Sequence, residues 1–256
     1  MGERTYCLKL SYDGTRFHGW QRLPNAVTVQ GRLEAALSEI FAQPIEVHGS
    51  GRTDAGVHAS AQYASFRAPE MEPAKILAQL RHKLPEDIGA LALCFAPERF
   101  HARLSATQKT YTYRVWNSEM PDVFGRRFRV QMLQALDLAA MRRAAELCLG
   151  TQDFLAFCSN KHFKKSSVRT LHRFDIAQNG AELIFTLSAD GFLYNMVRIL
   201  VGTVLEVGLG ERSLDSIPAL FSRRIRAEAG QTAPAKGLCL TEVRYEHPDF
   251  RKIEML

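Results

Sequence analysis

Apolar and polar residues alternate from residue 5 to residue 12 (TYCLKLSY). This is the period-two pattern of a strand, and Asp13-Gly14-Thr15 ends it as a turn. From Thr28 the period changes. Val29, Leu33, Leu37, Ile40 and Phe41 recur at helical spacing, and Pro44 closes the segment. Residues 45–48 and 61–67 read as short strands, and 88–95 as an apolar strand. Residues 73–84 read as a helix, opened by proline and closed before Pro85. The first half therefore runs strand-helix-strand-strand-helix-strand.

The second half repeats that order. Residues 109–116 alternate, with Tyr111, Tyr113 and Val115 on one face. Residues 136–149 form a helical pattern that stops at Gly150. Strands are predicted over 168–177 and 182–189, with Asn179-Gly180 as the hairpin turn. Residues 192–207 read as a helix with Asp190 as its cap and Gly208 as its stop. A short helix over 213–223 and a strand over 238–245 complete the chain. Only the order repeats, not the residues. Two such halves, 1–105 and 106–256, predict an α+β protein of two ferredoxin-like (split βαβ) units. They would form a continuous, mainly antiparallel sheet with helices on one face.

Composition narrows the class. The 256 residues are 46% hydrophobic and carry a net charge of +6, a globular chain with a mild basic excess. That excess permits a polyanion partner without requiring one. No apolar run reaches membrane-spanning length, and the opening residues hold no signal core, so a cytoplasmic protein without a membrane partner is expected. The five cysteines (7, 94, 148, 158, 239) are scattered and match no zinc spacing, so buried, reduced thiols are expected and no metal.

The most unusual stretch is Gly49-Ser-Gly-Arg-Thr-Asp-Ala-Gly-Val-His58. Small residues let a backbone turn tightly or approach a ligand. Beside Arg52, Asp54 is suited to stay ionised, as a nucleophile or base. The residues alone favour a structural turn with a capping Asp. Basic residues cluster elsewhere with aromatics: 99–103, 126–129, 161–173 and 223–226. Phosphates need cations and extruded bases need π-faces, so four such runs make nucleic acid as good a reading as a merely solvated surface. Tyr111 and Tyr113, taken alone, read as packing on a sheet face. Arg198 stands inside the apolar pattern FLYNMVRILVGTVLEVG. A cation there needs a carboxylate partner, for which Asp54 is a candidate, or it reaches the surface or Glu206.

Four blocks carry a resemblance: residues 11–21 (SYDGTRFHGWQ), 51–59 (GRTDAGVHA), Phe100-His101-Ala102-Arg103 with the following Lys-x-Tyr-x-Tyr, and 195–202 (NMVRILVG). In this order they resemble the tRNA pseudouridine synthase A family, from about residue 4 to 246. The resemblance implies conversion of uridine to pseudouridine at positions 38, 39 and 40 of the tRNA anticodon stem-loop, in an active-site cleft on the sheet face away from the helices, without metal or organic cofactor. It implies that Asp54 is the catalytic aspartate, that Tyr111 stacks on the target uracil, and that Arg198 pairs with the aspartate. It implies that Arg52 takes part in base flipping. Phe100, His101, Arg103, Lys164, Lys165 and Arg169 fall in RNA-contact regions. A homodimer holding the tRNA anticodon arm is implied as well. The alternatives are a synthase of the same fold acting at other tRNA positions, a non-catalytic RNA-binding module, and a carboxylate-based hydrolase. The last would need a second acid or a metal, which the 49–58 loop does not supply.

Overall fold

The computed structural model describes residues 2–160 and 163–246. The chain forms an α+β fold with mostly antiparallel sheet structure, in two compact units. The first comprises the described part of Met1–Thr107 and Leu240–Leu256, the second Gln108–Cys239.

The first unit contains β1 (Glu3–Tyr12), α1 (Val29–Phe41), β2 (Val47–Gly49), β3 (His58–Pro69), α2 (Pro73–Lys83) and β4 (Ile88–Ala96). Its strands lie in the order β4-β1-β3, with β2 along one part of β3. Thr28 starts α1 by accepting from the Gly31 N–H (3.3 Å), and Ala42 ends it in the left-handed region. The spacing of Val29, Leu33 and Leu37 buries all three. Tyr6 of β1 stacks on Phe66 of β3 (5.0 Å between ring centres) and meets Phe41 of α1 (6.4 Å). That face of the sheet therefore carries the helices. Tyr63, an odd number of residues from Phe66, points to the other face. There it meets the edge of Tyr245 (5.4 Å) on the closing strand.

The second unit contains β5 (Ala106–Asn117), β6 (Val130–Met132), α3 (Leu138–Glu146), β7 (Gly150–Asp153), β8 (Val168–Asn179), β9 (Glu182–Ala189), α4 (Met196–Gly208) and α5 (Ile217–Arg223). β10 (Leu238–Tyr245) begins at its end, runs into the first unit and pairs there with β3. The order in the second unit is β5-β9-β8-β7. Tyr111, Tyr113 and Val115 sit opposite Leu187, Phe185 and Leu183, and all six are buried. α4 buries every residue except Arg198 and Glu206.

Three local expectations change. The helix over 192–207 begins only at Met196, because Asn195 adopts the left-handed region (φ 62°), which ends helical propagation before it. Asp190 does not cap it; its carboxylate accepts from the Thr170 N–H (3.1 Å). The hairpin turn sits one residue later than Asn179-Gly180. Asn179 still pairs with Glu182, leaving Gly180 (φ 59°) and Ala181 as the loop.

Candidate active site

Arg52 and Asp54 lie on the connection from β2 to β3, residues 50–57. The segment that follows β1 clamps this loop. Trp20 N–H donates to the Thr53 carbonyl (3.0 Å), and Gly56 N–H donates to the Phe17 carbonyl (3.2 Å). Gly14 N–H donates to His58 Nδ1 (3.0 Å), and the Asp13 carboxylate accepts from Thr15 N–H (2.9 Å). Glycines permit the approach. A Cβ on Gly14 would lie 2.0 Å from the Val57 oxygen, and one on Gly19, at φ 89°, 2.7 Å from the Thr53 oxygen. A Cβ on Gly49 would meet the Trp20 ring at 2.4 Å. The block at residues 11–21 is thus the cradle of the block at 51–59. Sequence reasoning matched both but did not see that one holds the other.

Further support comes from the strand entering the loop. Glu34 of α1 accepts from the Val47 N–H (3.1 Å), and Gln30 donates to the Val47 carbonyl (2.9 Å). Two helix side chains thereby take the place of a strand neighbour for β2. Within the loop Thr53 is buried, Asp54 is half-buried and Arg52 is exposed. The Asp54 carbonyl accepts from Val57 N–H (3.1 Å), which closes the turn behind it.

The 100–103 block packs on the same unit. Ala102 N–H donates to Ser65 Oγ of β3 (3.0 Å), and its carbonyl accepts from the Tyr245 hydroxyl (2.7 Å). Phe100 meets the edge of Tyr245 (5.3 Å). His101 stacks on His48 of β2 (4.8 Å between ring centres), two residues before the Asp54 loop begins. Burial, then the neighbouring His48 and Arg103, hold its imidazole below the ordinary histidine pKa. Arg103 is exposed. Phe100 and Ala102 anchor this turn, and Arg103 projects from it.

In the second unit Tyr111 is buried on β5 and meets Phe192 edge to face (5.3 Å). Arg198 stands in the first turn of α4. Its Nε donates to the Ala233 carbonyl (2.7 Å) and its Nη1 to Asn195 Oδ1 (3.0 Å). The left-handed Asn195 is thus part of the support of Arg198, a role with no signal in the sequence. Ala233 N–H donates back to the Arg198 carbonyl (3.1 Å), and the Tyr113 hydroxyl donates to the Pro234 carbonyl (2.9 Å). Burial pushes the Tyr113 phenol well above the ordinary range. Glu206 is occupied by Arg212 (2.8 Å) and by Gln231 N–H (2.8 Å). It stands about 12 Å along the helix from Arg198, which excludes it as a direct partner.

Of the basic tract at 161–173, Lys161 and His162 lie outside the described residues. Lys164 and Lys165 are exposed on the connection between β7 and β8. Arg169 on β8 donates to the Ser166 carbonyl (2.9 Å) and lies against Gly191, beside the approach to α4. Among the described residues, no three His, Cys, Asp or Glu side chains are grouped to hold a metal ion, and no helix is long and apolar enough to cross a membrane. All five cysteines are free thiols.

Comparison with known proteins places the chain beside one family. The family model described as tRNA pseudouridine synthase matches residues 10–103 and 144–246. A tRNA pseudouridine synthase A of Halalkalibacterium halodurans is 46% identical over 233 residues, covering 90% of this chain and 89% of the relative. One from a Geobacillus species is 45% identical over 249 residues, covering 96% and 100%. One from Moorella thermoacetica is 43% identical over 244 residues, covering 93% and 99%.

Proposed function

The chain belongs to the tRNA pseudouridine synthase family, isomerases that act on tRNA, and on that premise we propose that it isomerises uridine at positions 38, 39 and 40 of the anticodon stem-loop, with Asp54 as the catalytic carboxylate. The clamped loop 50–57 is the observation that carries this reading. It supplies one acid on a backbone fixed from several sides, next to one exposed cation.

The reaction balances without any redox partner. The bond from ribose C1′ to uracil N1 breaks and a bond from C1′ to C5 forms. C5 releases a proton and N1 takes one up. What the protein must supply is access, orientation and charge, so the proposed reaction needs neither metal nor organic cofactor. A uridine in a stem has to leave the stack first, at a cost of about a few kcal/mol. Arg52, exposed beside Asp54, takes the vacated space while contacting phosphate. Tyr111 and Arg198 bind the extruded nucleotide, Tyr111 by stacking. Arg103, Lys164, Lys165 and Arg169, with Phe100 and His101, contact the RNA around it. The reading includes a cytoplasmic homodimer holding the anticodon arm, following the family resemblance.

The test is to incubate the protein with an unmodified tRNA transcript and map pseudouridine along it. Marks confined to 38, 39 and 40 are expected. Marks elsewhere would assign the chain to another tRNA position and overturn the positional reading.

A further inference from the structure

Beneath the Asp54 loop lies a buried polar network with no assigned role. Gln62 of β3 has no exposed surface, and Tyr12 and Thr53 are 5% exposed. Ser50 Oγ donates to Gln62 Oε1, which also accepts from Tyr63 N–H (3.2 Å). Gln62 Nε2 donates to the Gly51 carbonyl (2.9 Å) and to the Tyr12 hydroxyl oxygen (3.3 Å). The Tyr12 and Thr53 hydroxyls share a further hydrogen bond (2.8 Å). One amide and one phenol thus hold residues 50, 51 and 53, while Arg52 between them stays exposed.

An amide buried on a strand is costly unless fully bonded, and an apolar residue would serve packing alone better. A fully satisfied network fixes one conformation of the groups it joins. Apart from a bond from the backbone N–H of its neighbour Tyr63, every side-chain bond of Gln62 leads to the loop, directly or through Tyr12. We propose that Tyr12 and Gln62 are positioning residues for the isomerisation, holding the Asp54 loop in its reactive conformation through Ser50, Gly51 and Thr53. This inference rests on the reading of Asp54 as the catalytic carboxylate. Neither side chain is required to touch the RNA.

The experiment uses the full chain and an unmodified tRNA transcript carrying tritium at uridine C5, with tritium release measured at saturating enzyme. Thr53→Val removes the hydroxyl that Tyr12 reaches while keeping the shape, and Gln62→Leu removes the hub. Each should slow the single-turnover rate by about tenfold or more, the scale of a sub-ångström to ångström displacement of a reacting group. The tRNA dissociation constant should stay within about twofold, and the melting temperature of Thr53→Val should stay close to that of the parent. Thr53→Ser, which restores the oxygen, should recover most of the rate. Wild-type rates in both Thr53→Val and Gln62→Leu would overturn the proposal. So would a rate loss that only tracks weakened binding or a lowered melting temperature, or a Thr53→Ser as slow as Thr53→Val. Asp54→Asn is measured alongside. If it turns over, the reading of Asp54 fails; if it is inactive while the network variants are fast, only the positioning role fails.

Discussion

With the short strands β6 and β7 set aside, the two units share the strand-helix-strand-strand-helix plan but differ where their middle strands connect. In the second unit β8 passes to β9 through Gly180 and Ala181 alone. In the first, β2 passes to β3 through residues 50–57, held by the segment after β1, by α1 through β2, and by Tyr12 and Gln62. A two-residue turn serves topology and has no room for chemistry. The longer connection can present a carboxylate, but only because other elements remove its freedom. The second unit contributes differently. Its candidate groups, Tyr111 and Arg198, stand on a strand and at a helix start, and Arg198 is held further by the Ala233 carbonyl of a neighbouring segment.

The largest expected effect separates the two contributions. Asp54→Asn should abolish pseudouridine formation in a tritium-release assay while tRNA affinity stays within about tenfold, or 1.4 kcal/mol. Turnover in that variant would move the chemistry off the first unit's loop. Next come glycines at crowded crossings, one in each unit. A Cβ on Gly14 would lie 2.0 Å from the Val57 oxygen, and one on Gly202 of α4 1.9 Å from the Gln231 oxygen. Gly14→Ala and Gly202→Ala should each lower stability in urea by about 1–3 kcal/mol. Gly14→Ala should displace the Asp54 loop, and Gly202→Ala the strap that holds Arg198. Equal and undiminished turnover in both folded variants would break the assignment of these crossings to the site.

A smaller effect is expected at the exposed cations of the second unit. Lys164→Ala with Lys165→Ala should weaken tRNA binding and reduce the salt slope by about one for each phosphate no longer neutralised, with little change in single-turnover rate. An unchanged slope would remove this segment from the RNA surface. The last effect vanishes at neutral pH. Burial pushes the Cys148 thiol up to about 12, above its ordinary 9.0. Above pH 9 the unfolded chain loses this proton while the folded chain keeps it. Stability should therefore fall as pH rises from 9 towards about 12, by about 1.4 kcal/mol per unit for this group. Cys148→Ala should reduce that slope in a urea titration. Cys7 of the first unit is raised for the same reason, so the remaining slope belongs partly to the other unit.

Much of the fold was legible because its signals are local. The helical spacing from Val29 to Phe41 places α1, and the alternation through Tyr111 and Tyr113 places β5. β6 and β7 were missed. Each is only a few residues long and exists through pairing with a distant strand, which leaves no period to read. The start of α4 was misplaced because Phe192, Leu193 and Tyr194 are helix-compatible, while Asn195 departs into the left-handed region to hold Arg198. At the site, residue types and motif order pointed to Asp54, Tyr111 and Arg198. The cradle around Gly14, Gly19 and Trp20 was not legible as such, because its meaning lies in a contact between segments more than thirty residues apart.

The closing strand has a consequence for synthesis. β10 pairs with β3, Arg244 accepts from Thr107 through its carbonyl (3.2 Å), and the Tyr245 hydroxyl bonds both Ala102 and Ser50, the first residue of the Asp54 loop. While the polypeptide is still emerging from the ribosome, all other residues of the first unit have been made and wait, with the β10 edge of β3 covered only where β2 pairs with residues 64–66, for the whole second unit to be translated. The entropic cost of closing so long a span grows only slowly with its length. The penalty is therefore one of time: a nascent chain stalled before Leu240 would expose an unpaired strand edge and an unfinished floor beneath its Asp54 loop.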